Sequence, residues 1–111
     1  MSVTLKFIGK SAEDLRFFLL ADGRHAGGIT VHSVCGTAFS YGIAVAPGMR
    51  RRGIARAALL QLFDLMRERG FTLVRVQVAP PNTASLALHR SLGFEATSRD
   101  ASAVTLERTI I

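Results

Sequence analysis

At 111 residues, 49% of them hydrophobic, the chain is too apolar for a disordered polymer and long enough for one core but not two, so residues 1–111 are expected to form one domain. A total of 14 Lys and Arg stand against 8 Asp and Glu, a net charge of +6 that points to an anionic ligand without saying which kind. No apolar run approaches the roughly 18 residues of a membrane span, the start MSVTLKFIGK lacks a signal-peptide layout, and Cys35 is the only cysteine, so a cytoplasmic protein without internal disulfide or membrane partner is expected.

In chain order, VTLKFI (Val3 to Ile8) alternates as a first strand, and LRFFLLA (Leu15 to Ala21) is a second. Asp22-Gly23 is a tight-hairpin signal, so RHAGGITVHSV returns as a third strand, with Gly27-Gly28 marking a bulge or a close backbone approach. TAFSYGIAV makes a fourth strand that stops at Pro47-Gly48. The period then changes. Ile54, Ala58, Leu62 and Met66 fall on one helical face, joined by Ala55, Leu59 and Phe63, until Gly70 ends the helix. FTLVRVQV (Phe71 to Val78) is a strand, and NTASLALHRSLG a second helix with Asn82 as N-cap, Leu88 and Leu92 buried and Gly93 beyond its end. FEATSRD and SAVTLERTII close the chain as a hairpin around a polar turn near Asp100. The order β-β-β-β-α-β-α-β-β predicts a single mixed, mostly antiparallel sheet with two main helices, α/β or α+β in class.

The stretch APGMRRRGIARAAL, starting at Ala46, runs three arginines into a glycine and then a helix. Strand, short glycine loop and helix start form the layout in which unpaired N–H groups bind phosphate. Gly53 and the small Ala55 let backbone approach a compact anion, whereas a nucleic-acid contact would use the arginines and require neither. One Tyr and no Trp also leave little aromatic surface for stacking on bases. The Walker pattern and the dinucleotide G-x-G-x-x-G are both absent, so a phosphate loop of another kind is expected.

Arg50-Arg51-Arg52-Gly53-Ile54-Ala55 resembles the Q/R-x-x-G-x-G/A pyrophosphate loop of the GNAT acetyltransferase superfamily, preceded by a strand ending IAVAP. NTASLALHRSLGF (Asn82 to Phe94) is similar to that family's second cofactor segment, N-x-x-A-x-x-x-Y-x-x-x-G-F, with Ser85 at the small-residue position and His89 where tyrosine is commonest. The resemblance covers Thr37 to Phe94 well and the flanking strands loosely. It implies transfer of an acetyl or similar acyl group from acetyl-CoA, as co-substrate, to an amine on a small molecule or peptide.

Carried over by position, the N–H groups of Arg51, Arg52, Gly53, Ile54 and Ala55 would hold the pyrophosphate, with Arg50, Arg52 or Arg56 reaching the other phosphate. The strand Ile43-Ala44-Val45 would splay from its neighbour at a bulge, so that the backbone of Ile43 and Val45 pairs with the pantetheine arm and polarises the thioester carbonyl. Asn82 would touch the pantetheine or simply cap its helix, beside Ser85. The resemblance puts His89 next to the thioester sulfur. A partly protonated imidazole with a pKa near 6.5 can protonate a thiolate whose thiol has a pKa around 8.5.

An alkylamine with a pKa about 10.4 must also lose a proton, and the fourth strand contains none of the carboxylates that many relatives place there. Tyr41, His32, Glu13 and Asp14 are the available bases. His25, His32 and Cys35 lack zinc-ligand spacing, and on a regular strand His25 and His32 face opposite ways, so no metal is assigned. The family usually has two helices between its first and second strands, walling the acceptor site; here only Gly9 to Asp14 separates them. Three consequences are open: a large acceptor in an open groove, a second subunit that supplies the wall in a homodimer, or a non-catalytic acyl-CoA-binding sensor or assembly subunit.

Overall fold

The structure, a computed structural model, describes residues 1–12, 14–50 and 52–111; Glu13 and Arg51, both singled out above, lie outside the described residues. The strands are β1 (Val3–Ser11), β2 (Asp14–Ala21), β3 (Arg24–Cys35), β4 (Ala38–Val45), β5 (Leu73–Val78), β6 (Glu95–Arg99) and β7 (Val104–Thr109), and the helices are α1 (Ile54–Glu68) and α2 (Thr83–Ser91). They follow the order expected from the sequence. All seven strands form one sheet in the order β1-β2-β3-β4-β5-β7-β6. Among the described residues only the β4–β5 pair is parallel, because it is the one neighbouring pair joined by a helical crossover long enough to turn the chain back, and α1 is that crossover. β1 passes into β2 with no intervening helix.

Alternation along β2 turns Phe17, Leu19 and Ala21 into the core and Arg16 and Phe18 outward. α1 supplies the other side of that core. Its Ile54, Ala58, Leu59, Leu62, Phe63 and Met66 are buried at helical spacing, while Ala55 is only half-buried. Removing a large side chain of this kind from water contributes roughly 1.5–3 kcal/mol, so the amphipathic stripe of α1 holds the helix to the sheet. In α2 the buried positions are Leu86 and His89, continued by Leu92 and Phe94 beyond its end. Leu88, expected on the buried face, is half-buried, because the one-turn spacing of Leu86 and His89 defines the face this short helix presents.

The glycines of β3 make both features anticipated for them. Pairing with β2 skips Ala26, a bulge between Leu19–Gly27 and Leu20–His25, and a Cβ built on Gly27 would lie 2.0 Å from the Ala44 carbonyl oxygen of β4. The bulge corrects one expectation. His25 stacks edge-on against outward-facing Phe18 and His32 pairs with outward-facing Asp14, so the two histidines share a face that a regular strand would have divided between them. That outer face of β1–β4 carries exposed Ile8 and Phe18 without a covering helix.

Candidate active site

β4 and β5 pair only at Ala38–Leu73 and Phe39–Val74 and then part. β4 meanwhile stays in step with β3 from Phe39 to Val45, so the expected bulge is not in this strand; twist carries β5 away, and the bulge of this region lies in β3. Ala46 N–H donates to Ala26 O on the β3 side. Backbone alternation therefore turns Ile43 and Val45 into the gap. Arg50 Nε already donates to the Val45 carbonyl at 3.1 Å, leaving the N–H groups of Ile43 and Val45 and the Ile43 carbonyl facing it. Ala44, between them, points its backbone to β3 and its side chain to the outer face.

The gap leads to the start of α1. Gly53 is the N-cap residue, in a left-handed conformation with φ 75°, and nothing lies within 4 Å of where its Cβ would be. Among the described residues the first intrahelical bond is Ala57 N–H to Gly53 O, and the N–H groups of Ile54, Ala55 and Arg56 have no carbonyl partner and no side-chain cap. A bare glycine, open space and unpartnered N–H groups at the positive pole of a helix fit a phosphate group. Arg52 is exposed beside them, whereas Arg56 reaches across to α2, donating to Ser91 O at 3.2 Å and Ser91 Oγ at 2.8 Å.

On the inner face of the gap, Tyr41 and His89 meet from positions 48 residues apart: the Tyr41 hydroxyl is 2.8 Å from His89 Nε2. His89 Nδ1 lies 2.7 Å from the Ser85 carbonyl and 3.3 Å from Ser85 Oγ. A carbonyl only accepts, so Nδ1 carries a proton, and in the neutral ring Nε2 accepts from the tyrosine. Burial favours that neutral ring by pushing the His89 pKa below its ordinary value, against a smaller opposing effect of the Ser85 carbonyl. Burial also raises the Tyr41 hydroxyl well above its usual value, with Arg108 pulling the other way. Phe63 of α1 and Phe94 pack around the pair, and the Arg108 guanidinium sits 5.1 Å from the Phe63 ring centre.

The other sequence-derived residues lie apart from this pair. Asn82 Oδ1 accepts from Ser85 N–H at 3.1 Å, which makes it the N-cap of α2. His32 Nδ1 is 2.9 Å from Asp14 Oδ1 on the outer face of the sheet, the side away from Tyr41. Cys35 is exposed, and among the described residues no three His, Cys, Asp or Glu side chains gather as metal ligands do. Arg108 escaped the sequence reading because it sits in a strand with no motif; only the sheet order brings β7 near Phe63.

The sheet thus opens between two parallel strands above a glycine-started helix. The sequence model of the Acetyltransferase (GNAT) family matches residues 3–94, and the chain belongs to that family. It is 39% identical over 95 residues to the [ribosomal protein bS18]-alanine N-acetyltransferase of Salmonella typhimurium, covering 84% of this chain and 64% of that protein's length. The crystal structure of the ribosomal-protein-S18-alanine N-acetyltransferase from Escherichia coli superposes with a TM-score of 0.78 at 27% identity, over 91% of this chain and 72% of that one. The PaiA N-acetyltransferase of Thermoplasma acidophilum, solved in complex with coenzyme A, shares the fold with a TM-score of 0.79 at 19% identity, over 87% of this chain and 61% of that one.

Proposed function

We propose that residues 1–111 act as one acyltransferase domain, moving an acetyl or similar acyl group from coenzyme A to an amine. The observation that carries this reading is the β4–β5 gap running into the open N–H groups of α1. In this reading Ile54, Ala55 and Gly53 offer backbone N–H groups to the pyrophosphate, Arg52 adds charge, and Ile43 and Val45 hold the pantetheine arm along β4. In the same reading the Ile43 N–H would polarise the thioester carbonyl as negative charge develops on oxygen. Coenzyme A supplies the activated acyl group; the chain supplies grip, orientation and proton handling.

The acceptor side is open. Phe18, His25, Gly28, Ala44 and Pro47 border a shallow groove of about 440 Å³ on the outer face, which suits an acceptor larger than a simple amine. Similarity to the bS18-alanine enzymes puts peptides with an N-terminal alanine first among amines to try, ahead of polyamines. No helix among the described residues is long and apolar enough to cross a membrane. A homodimer that packs on the bare outer face at Ile8 would supply a second wall to that groove and leave it open. Sedimentation at assay concentrations is expected to give a dimer, and a monomer throughout would remove that part of the reading.

Thermal unfolding tests the binding claim. Acetyl-CoA at a hundred times its Kd should add about 2.7 kcal/mol of stability, a rise in Tm on the order of 10 °C for a chain of this size. No shift for a folded protein would overturn the assignment. A second reading, a non-catalytic acyl-CoA-binding subunit, is favoured by the absence of any carboxylate on β4. Thiol release from acetyl-CoA over a panel of amines and peptides decides between them: release above background with any acceptor supports the enzyme, and binding without release supports the subunit.

A further inference from the structure

Two lips frame the β4–β5 gap, and their inward-facing residues are Phe39, Tyr41, Ile43 and Val45 on β4 with Val74, Val76 and Val78 on β5. Tyr41 carries the one exchangeable side-chain proton among them. Its hydroxyl is bonded to His89; both side chains are buried, Tyr41 at 8% exposed and His89 at 3% with both ring nitrogens engaged, so of the two the tyrosine oxygen is the one nearer to a reacting atom in the gap. The Tyr41 oxygen lies 2.8 Å beyond His89 Nε2 and extends the reach of the buried imidazole by one hydrogen bond.

Building on the acyltransferase reading, we propose that Tyr41 is the proton-carrying catalytic residue, working as a two-way relay with His89 as its buried proton store. As the amine nitrogen bonds to the acyl carbon, the Tyr41 oxygen accepts the ammonium proton and passes its own proton to His89 Nε2. As the carbon–sulfur bond breaks, the path runs backwards: Tyr41 gives its proton to the departing thiolate and recovers one from His89. Protons and charge balance, and the pair ends as it began. The groups facing it suit the cycle. Ser85 of α2 fixes the tautomer, Phe63 of α1 and Phe94 keep water away, and Arg108 of β7 is the cation that acts on Tyr41. Burial that disfavours the imidazolium makes it a ready acid once formed, so the return to a thiolate whose thiol has a pKa around 8.5 is downhill.

Variants at the two positions separate this from a structural role. Tyr41→Phe should lower kcat on the order of 100-fold with the KM for acetyl-CoA nearly unchanged. His89→Phe should lower kcat on the order of tenfold or more and move the acidic limb of the pH profile. The double variant Tyr41→Phe/His89→Tyr restores one hydroxyl at the same place from the other side, and should recover most of the loss. A companion measurement needs no turnover. By the reverse path, the thiol of bound coenzyme A should ionise at lower pH on the wild type than on Tyr41→Phe, read by thiolate absorbance. Coenzyme A that binds both proteins and ionises alike on each, or an unchanged kcat in Tyr41→Phe, overturns the relay and leaves the binding assignment standing. A wild type that coenzyme A does not stabilise overturns the acyltransferase reading and the relay with it.

Discussion

Gly53→Glu is expected to abolish the stabilisation of the protein by acetyl-CoA. Gly53 holds φ 75° at the start of α1, where a side chain costs roughly 1–2 kcal/mol in the left-handed conformation. Nothing lies within 4 Å of the new Cβ, so no packed neighbour is displaced and the variant should still fold, with its unliganded Tm lowered by several degrees. The carboxylate, however, enters the space in front of the Ile54, Ala55 and Arg56 N–H groups and meets an incoming phosphate with like charge. Arg52→Ala should weaken binding far less, within about fivefold, because an exposed ion pair contributes at most about 1 kcal/mol and the backbone donors remain. Titration calorimetry and thermal shift check both. A Gly53→Glu protein that binds acetyl-CoA like the wild type would move the phosphate site away from α1.

Gly27→Val should cost more stability than any other single change considered for this chain. Its Cβ would fall 2.0 Å from the Ala44 carbonyl oxygen and 3.0 Å from the carbonyl carbon. Both are backbone atoms that cannot rotate aside. Relief requires β3 and β4 to separate around Gly27–Val45, which is where Ala46 N–H donates to Ala26 O and where the end of β4 is aimed at the gap. A loss above roughly 4 kcal/mol is expected, a large share of the 5–15 kcal/mol typical of a domain. The urea midpoint should fall sharply, and amide protection should be lost first at Ala26 and Ala44–Ala46. Gly28→Ala is the contrast: its Cβ would meet only the Phe17 carbonyl oxygen at 3.4 Å, so its effect should be modest. A wild-type midpoint for Gly27→Val would contradict the close approach.

The chain's local chemistry was sufficient for the element order and the family. Period two in LRFFLLA, period 3.6 from Ile54 to Met66 and the Asp22-Gly23 turn are properties of neighbouring residues, and each element they announced is present. The glycine-started helix of the proposed phosphate loop was legible for the same reason, since a glycine at a helix start acts through backbone within one turn. Tertiary structure decided the rest. A single bulged residue, Ala26, put His25 and His32 on one face, and pairing between strands, not spacing along one, sets such a bulge. Which face of α2 is buried depended on what it packs against, so His89 and Leu86 took the place expected for Leu88. The partnership of Tyr41 with His89 and the approach of Arg108 join residues far apart in sequence. Their energies come from burial and from atoms brought within hydrogen-bonding distance, quantities that exist only once the sheet has closed over α1 and α2.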